Sequence, residues 1–389
     1  MIQAFIVYFV LLIIMLLLAL RGKFVFSQEP YNIKNNKKYF RISVISIFIF
    51  SLVIGLRHYV GGDYVSYVDD FNDLKLTMSY ENVRYELGYY LLMFILKLFK
   101  LDYPFLFITV TFLQITFIYK WASNYKYSLP WIVFFYFTTL YLFESMNIMR
   151  QATAFSILFY STIYIQKSYK IKFIIMVLLA SSFHRSAIFF LPFYFFVNKE
   201  WIKNKYAQIS LIILAFIFSK TLFNVFFQKI GFFAEMLNYQ GYAKPTDDLF
   251  LEKNQNSMGF GLYFIVTIDT LLLFYSDKLK KVFRKESYII YHNMFFLGAL
   301  LSAAFADTNS IALGRFMFYF VSFRFVVLSF LCYYLFRIDR NKINKLIGIF
   351  VIIAYLFWFI NAISKGAAWC APFQFVFQDF APNSLYFNK

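Results

Sequence analysis

Residues that are able to bind an anion or to move a proton occur in five short stretches that interrupt long apolar segments. The five stretches are residues 57–64, 84–86, 147–151, 183–186 and 314–316. Each contains an arginine, whose planar guanidinium binds phosphate in a bidentate manner and keeps its charge when partly buried. The residue types therefore indicate a site for a diphosphate, and the neighbouring aspartate, glutamate and histidine supply groups that accept a proton.

The stretch 147–151 has the most specific spacing. Asn147, Arg150 and Gln151 are three and four residues apart, so on a helix they share one face. One charged and two amide side chains on the same face favour contact with an anion. The alternative is that Arg150 lies at the outer end of a helix and binds lipid headgroups.

The other stretches leave more alternatives open. In 57–64 the two glycines permit a tight turn that holds Arg57 near Asp63, although an ordinary loop with a lipid-facing arginine also fits. His184 and Arg185 interrupt the apolar run 171–197, so 183–186 is either a turn at the outer surface or a buried polar cluster within a long helix. Glu86 is expected to form a surface salt bridge with its neighbour in 84–86.

Composition sets the environment of these stretches. The 389 residues are 61% hydrophobic and 15% charged, with a mean hydropathy of +0.62. A chain this apolar predicts an all-α, polytopic integral membrane protein, because only helices that satisfy their own backbone cross lipid in such a sequence. No repeat or linker divides it, so a single membrane domain over 1–389 is expected. Arg324 and Asp269 lie deep in predicted helices and are expected to neutralise each other as a structural pair.

About twelve apolar runs predict transmembrane helices, although several are short and the pair across 171–197 can also be divided differently. They are residues 2–20, 41–56, 103–120, 128–145, 149–166, 171–183, 186–197, 206–222, 259–276, 287–306, 312–336 and 344–362. A further apolar segment at 85–101 is short and charged at both ends, which predicts that it enters the membrane without spanning it.

The distribution of basic residues predicts the orientation. Most of the 38 lysines and arginines lie in loops such as 21–41, 277–286 and 337–345, which are therefore expected in the cytoplasm. The loops 57–84 and 223–258 are then extracytoplasmic, and the tail 363–389 is expected at the interface. The alternative topology inverts the first two spans. Because the charge of +18 is spread between spans, it does not indicate nucleic acid.

Two further site classes lack support in the sequence. Cys332 lies in an apolar run and Cys370 in the tail, so neither a disulfide framework nor a zinc site is implied. The acidic pairs at 69–70 and 247–248 have no partner residues that would complete a metal site, and we expect them to be solvated. The sequence also has no glycine-rich nucleotide loop, so no cofactor is predicted.

Four of these segments, taken together, resemble the EpsG-like branch of the Wzy-type bacterial polysaccharide polymerases. They read RHYVGGDYVSY at 57–67, NIMRQATA at 147–154, FHRS at 183–186 and GRFMFYF at 314–320. The resemblance extends in order and spacing over about 40–335. The sequence departs from the pattern by one extra glycine at 61–62 and by an arginine after His184.

The resemblance implies a GT-C-like membrane glycosyltransferase in the bacterial inner membrane, with its active site facing the periplasm. It would transfer a growing glycan from undecaprenyl diphosphate to the next lipid-linked repeat unit, as an O-antigen or related polysaccharide polymerase does. The implied partners are the two lipid-linked glycans, the lipid bilayer and a chain-length regulator. Rival functions are a ligase or another glycosyltransferase with a lipid-linked donor, a flippase or transporter, and an acyltransferase.

Site roles follow as expectations. Arg150, Arg185 and Arg315, with Arg57 as a further candidate, are expected to bind the diphosphate. Asp63 is the first choice for the base that accepts the acceptor's hydroxyl proton, and Glu86 and His184 are alternatives. The amides of Asn147 and Gln151 are expected to orient oxygen atoms of sugar or phosphate.

Overall fold

The computed structural model describes residues 1–27, 33–77, 80, 85–222, 260–306 and 311–378. Within these ranges every regular secondary-structure element is a helix. An isolated antiparallel bridge joins Arg57 to Phe375. The all-α prediction is therefore confirmed. The predicted loop 223–258 and the last part of the tail, 379–389, lie outside the described residues.

The chain divides into two compact units, and the first comprises Met1–Tyr194 and Cys332–Lys389. Its helices are α1 (Ile2–Ser27), α2 (Ile33–Gly55), α3 (Tyr64–Asp73), α4 (Leu87–Leu98), α5 (Tyr103–Ala122), α6 (Leu129–Thr138), α7 (Tyr141–Asn147), α8 (Met149–Gln166) and α9 (Lys170–Ser181). A 3₁₀ helix, Arg185–Phe190, follows α9. Helix α2 packs on α1 and α5, and α8 packs on α5 and α9.

The second unit comprises Phe195–Leu331. Its helices are α11 (Lys205–Ile217), α12 (Phe260–Phe274), α13 (Ser276–Val282), α14 (Tyr288–Ala304) and α15 (Ile311–Val321). Two helices contain a boundary between the units, α10 (Phe193–Phe196) and α16 (Arg324–Tyr333). The chain then returns to the first unit, where α17 (Lys342–Ser364) is the last long helix.

Local signals explain where several helices begin. Asn341 precedes α17 and its side-chain oxygen accepts a hydrogen bond of 2.9 Å from the Ile343 N–H, which satisfies one of the free donors of the first turn. Asn204 caps α11 in the same way. Helices α5 and α6 each begin with a proline in the first turn, where the missing N–H has no intrahelical partner.

Four helices are long and apolar enough to cross a membrane by themselves, among the residues described here. They are Ile2–Gly22, Tyr103–Ala122, Leu313–Ile338 and Lys342–Ser364. A fifth span arises if Lys126–Thr138 and Tyr141–Asn147, which are bent by 59° at their junction, are counted as one. The protein is therefore a membrane protein, and the number of about twelve spans and the GT-C-like architecture stay predictions.

Several predicted spans are shorter helices. Helix α9 and the apolar segment Arg185–Phe196 replace the two spans expected across 171–197. Helix α4 has 12 residues. At 1.5 Å per residue it is about 18 Å long, well under the roughly 30 Å of a hydrocarbon core. That length fits the expectation that the segment 85–101 does not span.

A bidentate ion pair is buried in the second unit. The Nε and Nη2 atoms of Arg324 donate to the two carboxylate oxygens of Asp269, each at 2.7 Å. The side chains are 8% and 2% exposed. The predicted structural pair is confirmed. Because both charges have left water, each depends on the other for its stabilisation.

Removing one charge of this buried ion pair should therefore lower the free energy of unfolding much more than breaking an exposed ion pair does. We expect Asp269→Asn to lower the free energy of unfolding by about 3–5 kcal/mol, because Arg324 stays buried without its counter-ion. Glu200→Gln is the matched control, since it breaks the more exposed pair of Glu200 with Lys280 in the same unit and should cost less than about 1 kcal/mol. Thermal unfolding in detergent measures both, and equal losses would contradict the prediction.

Candidate functional site

The carboxylate of Glu86 joins two distant parts of the sequence in the first unit. Its Oε2 accepts a hydrogen bond of 2.7 Å from Nη1 of Arg150, and its Oε1 accepts one of 3.3 Å from the backbone N–H of Arg185. Nδ1 of His184 lies 3.5 Å from the same Oε1. We call Glu86, Arg150, His184 and Arg185 the Glu86 cluster. All four were predicted site residues.

The backbone beside Glu86 fixes this arrangement. Glu86 immediately precedes α4, and the N–H of Gly88 donates a hydrogen bond of 2.7 Å to the carbonyl of Ser182. A Cβ atom on Gly88 would lie 2.8 Å from that carbonyl oxygen, closer than side chains tolerate. The absence of a side chain thus lets α4 approach the turn that presents His184. The segment 183–186 is thus a turn and not the middle of one long helix, and its place at the outer surface stays a prediction.

Two tyrosine rings contact the guanidinium of Arg150, and part of its side chain is exposed. Its guanidinium carbon lies 5.1 Å from the ring centroid of Tyr85 and 5.8 Å from that of Tyr89, a cation–π arrangement. The Arg150 side chain is 26% exposed and that of His184 is 24% exposed. Arg185 is exposed. The side chains of Arg150 and Arg185 are therefore at least partly accessible to an anion.

The protonation of Glu86 follows from its partners. Burial alone raises the pKa of the Glu86 carboxyl, but the contact with His184 and the charge of Arg150 outweigh it and lower the pKa from 4.5 to about 2. Glu86 is therefore ionised throughout the neutral and mildly acidic range. So low a pKa makes the carboxylate a weak proton acceptor and a good counter-ion for Arg150.

Arg57 has a different environment, with 0% of its surface exposed. Its guanidinium donates to the carbonyls of Ile54, Val60 and Met146 at 2.9–3.1 Å, and it lies 4.7 Å from the ring centroid of Phe107. These contacts tie the end of α2 to α7 and α5. In the structure Arg57 thus fixes the loop that leads to Asp63 and is not itself accessible to a ligand.

The side-chain amides of Asn147 and Gln151 contact other parts of the protein or are buried. The side-chain oxygen of Asn147 accepts a hydrogen bond from the backbone N–H of Gly62. Gln151 is buried in α8. Asp63 is half-buried just before α3, and its carboxylate is close enough to interact electrostatically with Glu144.

Arg315 belongs to the second unit, in α15, and its side chain is exposed. The preceding residue, Gly314, has no heavy atom within 4 Å of the position where a Cβ would stand. The remaining predicted partner of Glu86, the arginine at position 84, lies outside the described residues. Among the residues that the structure describes, no three His, Cys, Asp or Glu side chains are grouped in a way that could hold a metal ion.

Sequence reasoning missed the residues that support the cluster. Tyr85 and Tyr89 line the guanidinium of Arg150, and Gly88 allows the close approach of α4. A signal was present, since the two tyrosines are four residues apart around Glu86 and share a helical face. Their partner Arg150 is 64 residues from Glu86, however, and no local pattern encodes that contact.

The site lies within the part of the chain that matches the model of a known family. A model of the EpsG family matches residues 40–375. The chain belongs to the EpsG family. This confirms the resemblance, and it makes the chain a polysaccharide-polymerase-like membrane protein and, in general terms, a glycosyltransferase-like polymerase. Comparison with curated proteins and with solved structures gave no match.

A substitution at Gly88 tests the packing of this EpsG site. We expect Gly88→Ala to lower the free energy of unfolding by about 1–3 kcal/mol, because the new methyl group forces α4 away from the carbonyl of Ser182. Gly314→Ala is the matched control, since open space surrounds it and alanine favours a helix by up to about 1 kcal/mol. Melting temperatures compare them, and an unchanged value for Gly88→Ala would refute the packing argument.

The low pKa of Glu86 predicts a specific pH dependence of stability. Since the pKa is lower in the folded state, the ionised carboxylate stabilises the fold fully above its unfolded value of about 4.5, and this contribution is lost as the pH falls towards about 2. Glu86→Gln should therefore be less stable than the wild type at pH 7 and 5, and the difference should shrink at pH 3. A difference that stays constant down to pH 2.5 would show that Glu86 carries no charge-dependent role.

Proposed function

We propose that this EpsG-family chain polymerises oligosaccharide repeat units carried on undecaprenyl diphosphate, at the periplasmic face of the inner membrane. The observation that carries the proposal is the Glu86 cluster, which presents the side chains of Arg150 and Arg185 to an anion. Two exposed guanidinium groups suit a lipid-linked diphosphate, whose charge grows as it departs. No cofactor takes part, because the lipid diphosphate already activates the donor sugar.

The proposed reaction is a glycosyl transfer. A hydroxyl oxygen of the acceptor repeat unit forms a bond to the anomeric carbon of the donor glycan, while the bond from that carbon to the diphosphate oxygen breaks. Undecaprenyl diphosphate leaves with the electron pair, and a base takes the proton of the hydroxyl. In this proposal Arg150 and Arg185 bind the departing diphosphate, and Arg315 stays a further candidate for the same role.

The environments of the acidic and basic side chains suggest which residue acts as the base and which residues act in positioning. The pKa of about 2 argues against Glu86 as the base and favours a positioning role towards Arg150. Asp63, with His184 as the alternative, then accepts the proton. The buried Arg57 and Gln151 position the surrounding segments, and Asn147 does so through Gly62.

The predicted orientation of the loops supports a site at the periplasmic face. The pattern of basic loops predicts that the end of α2, the junction of α7 with α8, the 183–186 turn and the end of α17 all face outwards. Contacts in the first unit connect these same segments to one another, through Arg57 to Met146 and through Gly61 to Trp369. A chain-length regulator is the proposed protein partner at that face.

Arg150 gives the most direct test of function. In cells whose own copy is deleted, Arg150→Ala should reduce the yield of long glycan chains by about 100-fold or more, because the departing diphosphate loses a charged donor. Arg150→Lys should recover little, since lysine lacks the planar fork that meets both Glu86 and a phosphate. The control is Arg337→Ala, which removes an exposed arginine of the same unit far along the sequence from the site. Glycan ladders on gels are compared at matched membrane levels.

The same gels separate the proposal from its closest rival. Loss of a polymerase leaves lipid core capped by a single repeat unit, whereas loss of a ligase leaves bare core. Bare core in the deletion strain would establish the rival function. Normal ladders with Arg150→Ala would remove this residue from the mechanism.

A further inference from the structure

We propose that Trp369, Asn147, Asp63 and Glu144 surround Gly62 and form a carbohydrate subsite that receives the sugar of the acceptor repeat unit. This inference rests on the proposed function and adds the place where the acceptor binds. Neither Trp369 nor Glu144 was among the predicted site residues. The four side chains come from three separate segments of the first unit, the 57–64 loop, α7 and the turn that follows α17.

Trp369 occupies an unusual backbone conformation beside Gly62. Gly366, Ala368 and Trp369 have φ angles of +62°, +52° and +56°, and two of these three are residues that rarely adopt the left-handed region. Such strain persists only where the surrounding structure enforces it, and it is concentrated at functional sites. Here it leaves the large indole half-buried at the edge of the loop.

Neighbouring contacts enforce this position. The carbonyl of Trp369 accepts a hydrogen bond of 3.0 Å from the N–H of Gly61, and the hydroxyl of Tyr8 donates one of 2.8 Å to the carbonyl of Cys370. A Cβ atom on Gly62 would lie 3.0 Å from Cδ1 of the indole. A side chain at position 62 would therefore crowd the indole, and the small residue lets the ring lie against the loop.

Glu144 supplies the second unusual feature. It is exposed, although the residues on either side of it in α7, Phe143 and Ser145, are buried. It precedes Asn147 by one helical turn, and its charge interacts with that of Asp63. The amide of Asn147 thus contacts Gly62 directly, and Asp63 follows Gly62 in the chain, with Glu144 near enough to interact with its charge.

This combination matches what a pyranose presents. The C–H face of a sugar packs on an aromatic ring, and its hydroxyl groups donate hydrogen bonds to carboxylates and amides. Arg150 begins the next turn after Asn147, so the subsite adjoins the Glu86 cluster, where the diphosphate is proposed to bind. An acceptor hydroxyl here would lie between a carboxylate base and the donor.

The subsite also defines the proton's path. As the acceptor oxygen bonds to the anomeric carbon of the donor and the bond to the diphosphate oxygen breaks, the hydroxyl proton passes to the carboxylate of Asp63. Glu144, whose charge interacts with that of Asp63, accepts a hydrogen bond from a second hydroxyl of the sugar. Glu144 is thus a contact for the acceptor.

The test separates sugar stacking from mere packing. Trp369→Leu fills much of the volume without an aromatic face, and Trp369→Phe keeps a smaller face. The substrate used is the lipid-linked repeat unit extracted from cells that lack this chain, with purified protein in detergent. We expect Trp369→Leu to raise the KM for this substrate about tenfold with kcat changed less than about threefold, and Trp369→Phe to recover most of the affinity.

Control variants keep the result interpretable. Trp131→Leu and Trp131→Phe make the same changes at a half-buried tryptophan of the first unit that stacks on Phe336, and KM should stay within about twofold of wild type. Glu144→Gln keeps the shape of the side chain but removes its charge, and we expect it to raise the KM for the repeat unit about tenfold, because an ionised acceptor for a sugar hydroxyl is lost. An unchanged KM with Glu144→Gln would remove Glu144 from the subsite.

The outcomes for the subsite and for the polymerase differ. If Trp369→Leu leaves KM within about twofold, or if it lowers kcat and the melting temperature without raising KM, the subsite is refuted while polymerase function stands. If cells without the chain accumulate no single repeat units and make normal polymer, the proposed function itself is refuted.

Discussion

The buried guanidinium of Arg57 is the interaction on which the contacts between α2, α7 and the 57–64 loop of the first unit depend. A charged group with no exposed surface is tolerated only when its N–H donors are satisfied, and three carbonyls from separate segments do so here. The same residue is bridged to Phe375 of the tail. The side chain thereby joins the end of α2 to the end of α7, and backbone hydrogen bonds at the same position join the returning tail. The loop that carries Gly62 and Asp63 has its course set by these bonds.

The positions of the helices could be predicted from apolar runs, because that signal is local. Helices occur at the predicted segments near 103–120 and 344–362, where they are long enough to span. The buried pair of Arg324 and Asp269 could also be predicted, since two opposite charges deep in apolar helices have few other ways to be stabilised. Helix lengths across 171–197 could not be predicted, because α9 ends at a turn whose Ser182 contacts Gly88 of a distant segment, and no local pattern encodes that contact.

The pairings within the site lay beyond sequence reasoning for a related reason. Residue type identified Arg150 and Glu86, but the partner assigned to Glu86 was its sequence neighbour, whereas the structure pairs it with Arg150. Arg57 looked like a phosphate ligand because its type suits one, and its burial depends on carbonyls that no motif records. Trp369 gave no signal at all, since the strain that distinguishes it is a property of the left-handed φ angles at Ala368 and Trp369.

The pairing of the tail with the start of the 57–64 region has a consequence for biogenesis. The N–H of His58 donates to the carbonyl of Gln374, and the N–H of Val376 donates to that of Leu56. A nascent chain exposes this loop long before the ribosome delivers the tail that covers it. Because the tail follows α17 in the sequence, these backbone contacts form only after α17 has been synthesised, so the order of translation makes this region one of the last to be completed.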